Sequence, residues 1–273
     1  GTASSPGRWA NMVNVLKNDR RLRDRFQFWF FFYDSGNAIP FSAMRLRRTL
    51  AAAVAEVDPD GRDPALREMV VVGHSQGGLL ARMTAIDSGD RFWADISSRP
   101  IDQLHMSGST RRLLREVFFF EPLPFVRRLV FLATPHRGSF MAERSLVELL
   151  ARFVRLPQQV TTTAADLVTG NADALVFDPR RPVWGSIYGM RPGSNLLTAL
   201  DEAPVAERVS AHSIVAVRGD LPAEGQSDGV VSFASASLDW AESEVVIPRT
   251  GHSIQQHPLA IEEVRRILLE HAD

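Results

Sequence analysis

Residues Met69–Leu80 read MVVVGHSQGGLL, and the reading of this stretch decides the fold. Met69 to Val72 form a short apolar run of the kind that makes a fully buried strand. Gly73-His74-Ser75-Gln76-Gly77 then fits G-x-S-x-G, and Leu79, Leu80, Met83 and Ile86 recur at helical spacing. Strand, sharp turn and helix in that order make the pentapeptide a nucleophile elbow rather than an ordinary glycine-rich turn. Such a turn strains the backbone at the serine, and the flanking glycines remove side chains that would clash. It lifts the Ser75 hydroxyl out of the sheet. It also aims a helix N-terminus at the place where negative charge develops on a reacting carbonyl.

Outward from the elbow, strands alternate with helices. Upstream, Gly1–Pro6 is a small-residue turn, with Ser5 as cap and Pro6 in the first turn of a helix striped by Trp9, Met12, Val13 and Leu16. Phe26–Tyr33, FQFWFFFY, is the most apolar strand candidate. Its continuous character suits a strand covered on both faces of a parallel sheet. Phe41–Val57 predicts a helix stopped by Asp58-Pro59-Asp60-Gly61. Downstream, Arg127–Thr134, Ser213–Val217 and Glu244–Pro248 predict further strands. Pro258 followed by Ile261, Val264, Ile267 and Leu268 predicts a closing helix. The alternation implies an α/β fold with an open, mostly parallel sheet flanked by helices.

Two stretches, approximately 87–126 and 140–210, are too long for plain connections. They read as helical cap insertions above the carboxyl ends of the strands, where ligands bind in such sheets; the alternative is peripheral decoration. The first carries Leu113, Leu114, Val117 and Phe118 on one helical face, the second Leu146, Leu149, Leu150 and Phe153. With Phe119 and Phe120, Phe118 and Phe153 point to an apolar acyl or aromatic group in the substrate.

Composition narrows the function. The 273 residues suit one large domain, 1–273, and 32 acids against 31 bases give no basic surplus for nucleic acid. The absence of cysteine excludes disulfides, a thiolate nucleophile and cysteine-held metals. No apolar run approaches the length of a membrane span. The chain starts at Gly1 rather than Met, so a removed upstream segment is expected, and compartment and oligomeric state stay open.

A serine hydroxyl needs a base within hydrogen-bond reach and a group that orients the base. Among seven histidines, His252 follows the last strand in PRTGHS, and His257 before Pro258 is the runner-up. His74, beside Ser75 in the elbow, and His136, in ATPHRGS, read as structural. The acid belongs after the penultimate strand, where Asp228 in SDGVVS and Asp220 in RGD both qualify. Asp228 is preferred because Gly229 and an apolar pair follow it, which suits a tight turn.

Taken together, GHSQGG, ATPHRGS, SDGVVS and TGHS resemble the motifs of the α/β-hydrolase superfamily, in its bacterial lipase and esterase branch. The chain order Ser75, Asp228, His252 is also that of this superfamily. The likeness covers the sheet scaffold and leaves the cap undetermined. It implies an α/β-hydrolase fold in which Ser75 attacks an ester carbonyl, assisted by His252 and Asp228. It further implies an oxyanion hole from the backbone N–H groups of Gln76 and Thr2, because Gly1-Thr2 resembles the end of the HG-x loop. No cofactor or catalytic metal is implied, and no calcium loop is recognisable. The expected partner is a small-molecule or lipid ester, with transient contact to a lipid interface. Amide or thioester hydrolysis, acyl transfer and a non-catalytic binding module remain as alternatives. One departure stands out: the strand and His-Gly pair expected before Gly1 are missing. The chain then reads as a fragment lacking its first strands, with a strand-wide gap or a rearrangement expected beside Met69–Val72.

Overall fold

The computed structural model describes residues 5–139, 158–176 and 189–273. Its centre is a parallel sheet of β1 (Met69–His74), β2 (Val126–Leu132), β3 (Ser210–Ala216) and β4 (Ser243–Ile247), in that spatial order. Val72 lies opposite Val130, Val130 opposite His212, and Ile214 opposite Val245.

The period of two along each strand sorts side chains to two faces. Val130, Leu132, Ile214 and Ala216 join Met12, Leu16, Ile261 and Val264 in one buried cluster. That cluster lies under α1 (Ala10–Asn18), the short α2 (Arg20–Arg23) and the closing helix Pro258–Ala272. Leu129, Phe131 and Ala211 join Ala81, Ala85 and Leu238 in another, against α3 (Ile39–Val57) and α4 (Gln76–Arg82). Both faces of β2 and β3 are therefore covered, which is why these segments read as continuous apolar runs.

The stretch 87–126 carries α5 (Arg91–Ala94) and α6 (Gly108–Phe118), and the described part of 140–210 carries α7 (Gln158–Val168) and α8 (Asn195–Glu202). Further α-helices among the described residues are α9 (Phe233–Ala236) and the closing helix, α10. Leu113, Leu114, Val117 and Phe118 are buried as their spacing predicts. They belong to the same cluster as Met44 and Leu46 of α3. The rings of Phe118, Phe119 and Phe120 are engaged with Trp93, Trp93 and Phe92 at 5.9, 5.7 and 5.8 Å. The Arg47 guanidinium lies 3.6 Å from the Phe120 ring centre. These three phenylalanines thus belong to the apolar cluster shared with α3. Leu146, Leu149, Leu150 and Phe153 lie outside the described residues, as does the expected donor Thr2.

Three expectations are corrected. FQFWFFFY is not a sheet strand, since no ladder pair involves residues 26–33. Phe26 and Phe28 pack under α1 and α10, whereas Phe31 and Tyr33 pack on the cluster around α3. Serving two separate clusters makes the alternation slip at Trp29–Phe30, whereas a paired strand keeps a strict period of two. Trp29, Phe30 and Phe32 are left 39, 51 and 64% exposed. Secondly, Met69 to Val72 are half-buried rather than fully buried, because among the described residues β1 is paired with β2 on one side only. Thirdly, Ser5 precedes the first helical turn but makes no capping hydrogen bond with its side chain.

Candidate active site

At the end of β1 the backbone reverses through Ser75, whose φ of 55° and ψ of −130° are rare for a residue with a side chain. Such a conformation costs about 1–3 kcal/mol and persists only where its surroundings enforce it. Here they do. Ser75 N–H donates to the Leu132 carbonyl of β2 at 2.9 Å, and Gly78 N–H donates to the Ser75 carbonyl at 2.9 Å. A Cβ on Gly73 would lie 2.5 Å from the Gly77 carbonyl oxygen, so the first glycine of the pentapeptide is a steric necessity. A Cβ on Gly78 would lie 1.9 Å from Thr134 Oγ1, so the following glycine lets α4 approach the loop after β2.

The acid loop follows β3. Asp228 is buried, and two backbone N–H groups donate to its carboxylate. Oδ1 accepts from Val230 N–H at 2.8 Å and Val231 N–H at 2.7 Å. Gly229 has φ 96°, and a Cβ there would lie 2.2 Å from the Arg218 guanidinium, whose Nε donates to the Asp228 carbonyl. The loop after β4, which carries the expected base His252, is tied through its backbone to the loop after β3. Arg249 N–H donates to the Gly219 carbonyl at 3.0 Å, and Thr250 N–H donates to the Val217 carbonyl at 2.9 Å.

These loops bring His252 between Ser75 and Asp228. His252 Nδ1 lies 2.7 Å from Asp228 Oδ2, and His252 Nε2 lies 2.9 Å from Ser75 Oγ. A carboxylate only accepts, so Nδ1 carries the hydrogen, and Nε2 is left to accept from the hydroxyl. Ser75 is 6% exposed. Gln76 is the first residue of α4, so its N–H lies at the positive end of that helix, next to Ser75.

The other candidates lie elsewhere. Asp220 is exposed and pairs with Arg249 at 2.6 Å. His257 caps α10, with Nδ1 accepting from Leu259 N–H at 3.2 Å. His136 is fully buried with its ring edge-on to Phe131 at 4.7 Å, and burial followed by Arg82 and Arg137 holds its pKa well below the ordinary value. His74 is also buried, but it is more than a packed ring: its Nε2 lies 2.7 Å from the His252 carbonyl oxygen. Nothing in the local sequence around His74 indicates that contact. The usable signal is general: a buried ring N–H must find an acceptor.

A family model described as Alpha/beta hydrolase family matches residues 1–264. The mature form of Bacillus licheniformis lipase BlEst2 is similar with a TM-score of 0.56 at 14% identity, covering 98% of this chain and 89% of that one. Its propeptide form gives 0.57 at 14% identity, covering 98% of this chain and 48% of that one. Staphylococcus hyicus lipase gives 0.54 at 12% identity, covering 99% and 92%. At such identities the likeness is one of fold. No curated protein sequence matches the chain.

Proposed function

The chain belongs to the alpha/beta hydrolase family, and from that membership we propose that it is a serine carboxylic-ester hydrolase acting through an acyl-enzyme. The observation that carries the reading is the unbroken relay from Asp228 Oδ2 through His252 to Ser75 Oγ, at 2.7 and 2.9 Å. As His252 Nε2 takes the hydroxyl proton, Ser75 Oγ bonds to the ester carbonyl carbon. The resulting oxyanion receives the N–H of Gln76 at the α4 N-terminus, with Thr2, outside the described residues, as the second donor that the resemblance assigns. Collapse breaks the bond to the alkoxy oxygen, and the imidazolium gives that oxygen its proton. Water then repeats the sequence on the acyl-enzyme, releasing the acid and regenerating the serine. Asp228 keeps Nδ1 protonated and stabilises the imidazolium in both halves.

The substrate class is an ester of a small molecule or a lipid. Support comes from the two neighbours named as lipases. The test is a panel of p-nitrophenyl esters of increasing acyl length, run beside matched amides and thioesters, with wild type and Ser75→Ala. Ester hydrolysis is expected, with Ser75→Ala lowering turnover by about four to six orders of magnitude. Faster turnover of the amide or thioester would move the protein to another acyl-transfer class. Near-normal activity in Ser75→Ala would end the mechanism.

A further inference from the structure

His74 occupies the first variable position of G-x-S-x-G, the last residue of β1, and is 5% exposed. Its Nε2 lies 2.7 Å from the backbone carbonyl oxygen of His252. A carbonyl accepts, so Nε2 must carry the ring hydrogen. Nδ1 is then a bare lone pair, buried without a hydrogen-bond partner among the described residues. The two rings lie 4.9 Å apart at 48°. Burial first, and then the neighbouring His252, push the His74 pKa down to about 3, so the ring stays neutral across the working range of an esterase.

These contacts close a small circuit. His74 is bonded covalently to Ser75, its ring holds the His252 backbone, and the His252 ring meets Ser75 Oγ. The strand end that fixes the serine therefore also fixes the loop that carries the imidazole. Asp228 restrains the His252 ring at Nδ1, and the backbone ties of Arg249 and Thr250 hold the chain two and three residues before it, whereas the His74 ring holds the main chain at His252 itself. We propose that His74 is a positioning residue for the reaction: as a permanent, neutral N–H donor it clamps the His252 main chain to the elbow and sets the Ser75–His252 approach. A protonated ring would not serve, because a second positive charge beside His252 would oppose the imidazolium that forms in each half-reaction.

The proposal rests on the hydrolase reading above, and its tests are chosen to fail separately. His74→Leu removes the donor at similar bulk. His74→Gln restores an N–H at about the reach of Nε2. With a p-nitrophenyl ester, His74→Leu should lower kcat by about 10- to 100-fold with KM within about twofold, the loss expected when a reacting group drifts by about 1 Å. His74→Gln should recover most of that loss. Labelling of Ser75 by a fluorophosphonate should slow in parallel, whereas Ser75→Ala, which tests the hydrolase reading, abolishes labelling outright. Should His74→Leu fail to fold, nitrogen NMR of the histidine-labelled wild type gives an independent readout. It should show a His74 ring protonated at Nε2 and not titrating between about pH 5 and 9. Full kcat in a folded His74→Leu, equal deficits in the Leu and Gln variants, or a His74 ring that titrates in that range would each overturn the proposal.

Discussion

The two glycines that crowd the elbow differ in what opposes them, and that difference has a measurable consequence. A Cβ on Gly73 meets the backbone of Gly77 and Gly78, which cannot move without undoing the turn. A Cβ on Gly78 meets the side chain of Thr134. Gly78→Ala should therefore fold with a loss of about 1–3 kcal/mol, typical of overpacking, while Gly73→Ala should lose the active conformation itself. Chemical denaturation and ester turnover on the two variants separate these outcomes; equal effects would show that the elbow tolerates backbone displacement. In the acid loop, Asp228→Asn should lower kcat by about 10⁴-fold by favouring the wrong tautomer of His252. Asp220→Asn should leave kcat unchanged, since its carboxylate faces Arg249. Ser75, Asp228 and His252, the three side chains proposed as the relay, could be picked out as candidates in the sequence because each sits in a short motif on the segment that follows a strand. The contact of His74 could not, because its partner is a main-chain carbonyl 178 residues away.

Between elements, one carboxylate links the first helices to the last beside the apolar packing of Met12, Leu16 and Leu22. Asp19 accepts from Arg21 N–H at 2.9 Å through Oδ1, capping α2, and meets Arg265 of α10 at 2.6 Å through Oδ2. The hydrogen bond from Arg265 is the main reason its pKa lies below the usual carboxylate value. A carboxylate depressed in the folded state contributes stability above its unfolded pKa and loses it as pH falls through the folded pKa. Asp19→Asn keeps a capping oxygen but removes the charge. Its Tm should fall below wild type at pH 7, and the difference should shrink steadily as the pH is lowered toward 3. A difference constant with pH would mean that the ion pair contributes nothing. The elements themselves were readable wherever a single period held, as in α6 and α10. FQFWFFFY misled because composition records how apolar a segment is, and not whether a backbone neighbour exists to pair with it.

For the whole molecule, the sheet divides into inner strands and outer ones, a difference that no single segment discloses. β2 and β3 have neighbours on both sides, whereas β1 presents one edge without a paired strand among the described residues. Amides at alternate positions of β1 should therefore exchange with solvent well before those of β2 and β3, since local opening is easiest where ladder bonds are missing on one side. Hydrogen exchange read by mass spectrometry tests this, and protection of Met69–Val72 equal to that of Leu129–Leu132 would contradict it. Strand order and edge status depend on pairing across distant segments, which is why the alternation of strands and helices gave the α/β class but left β1 drawn as fully buried.

The central claim is that Ser75 is an activated nucleophile, and a fluorophosphonate tests it most directly, because it bonds to a serine whose proton a neighbouring base removes. Intact-mass measurement followed by peptide mapping should find one adduct per chain, on Ser75, absent from Ser75→Ala and formed far more slowly in His252→Ala. No adduct on the wild type, or an adduct that persists in Ser75→Ala, would contradict the account.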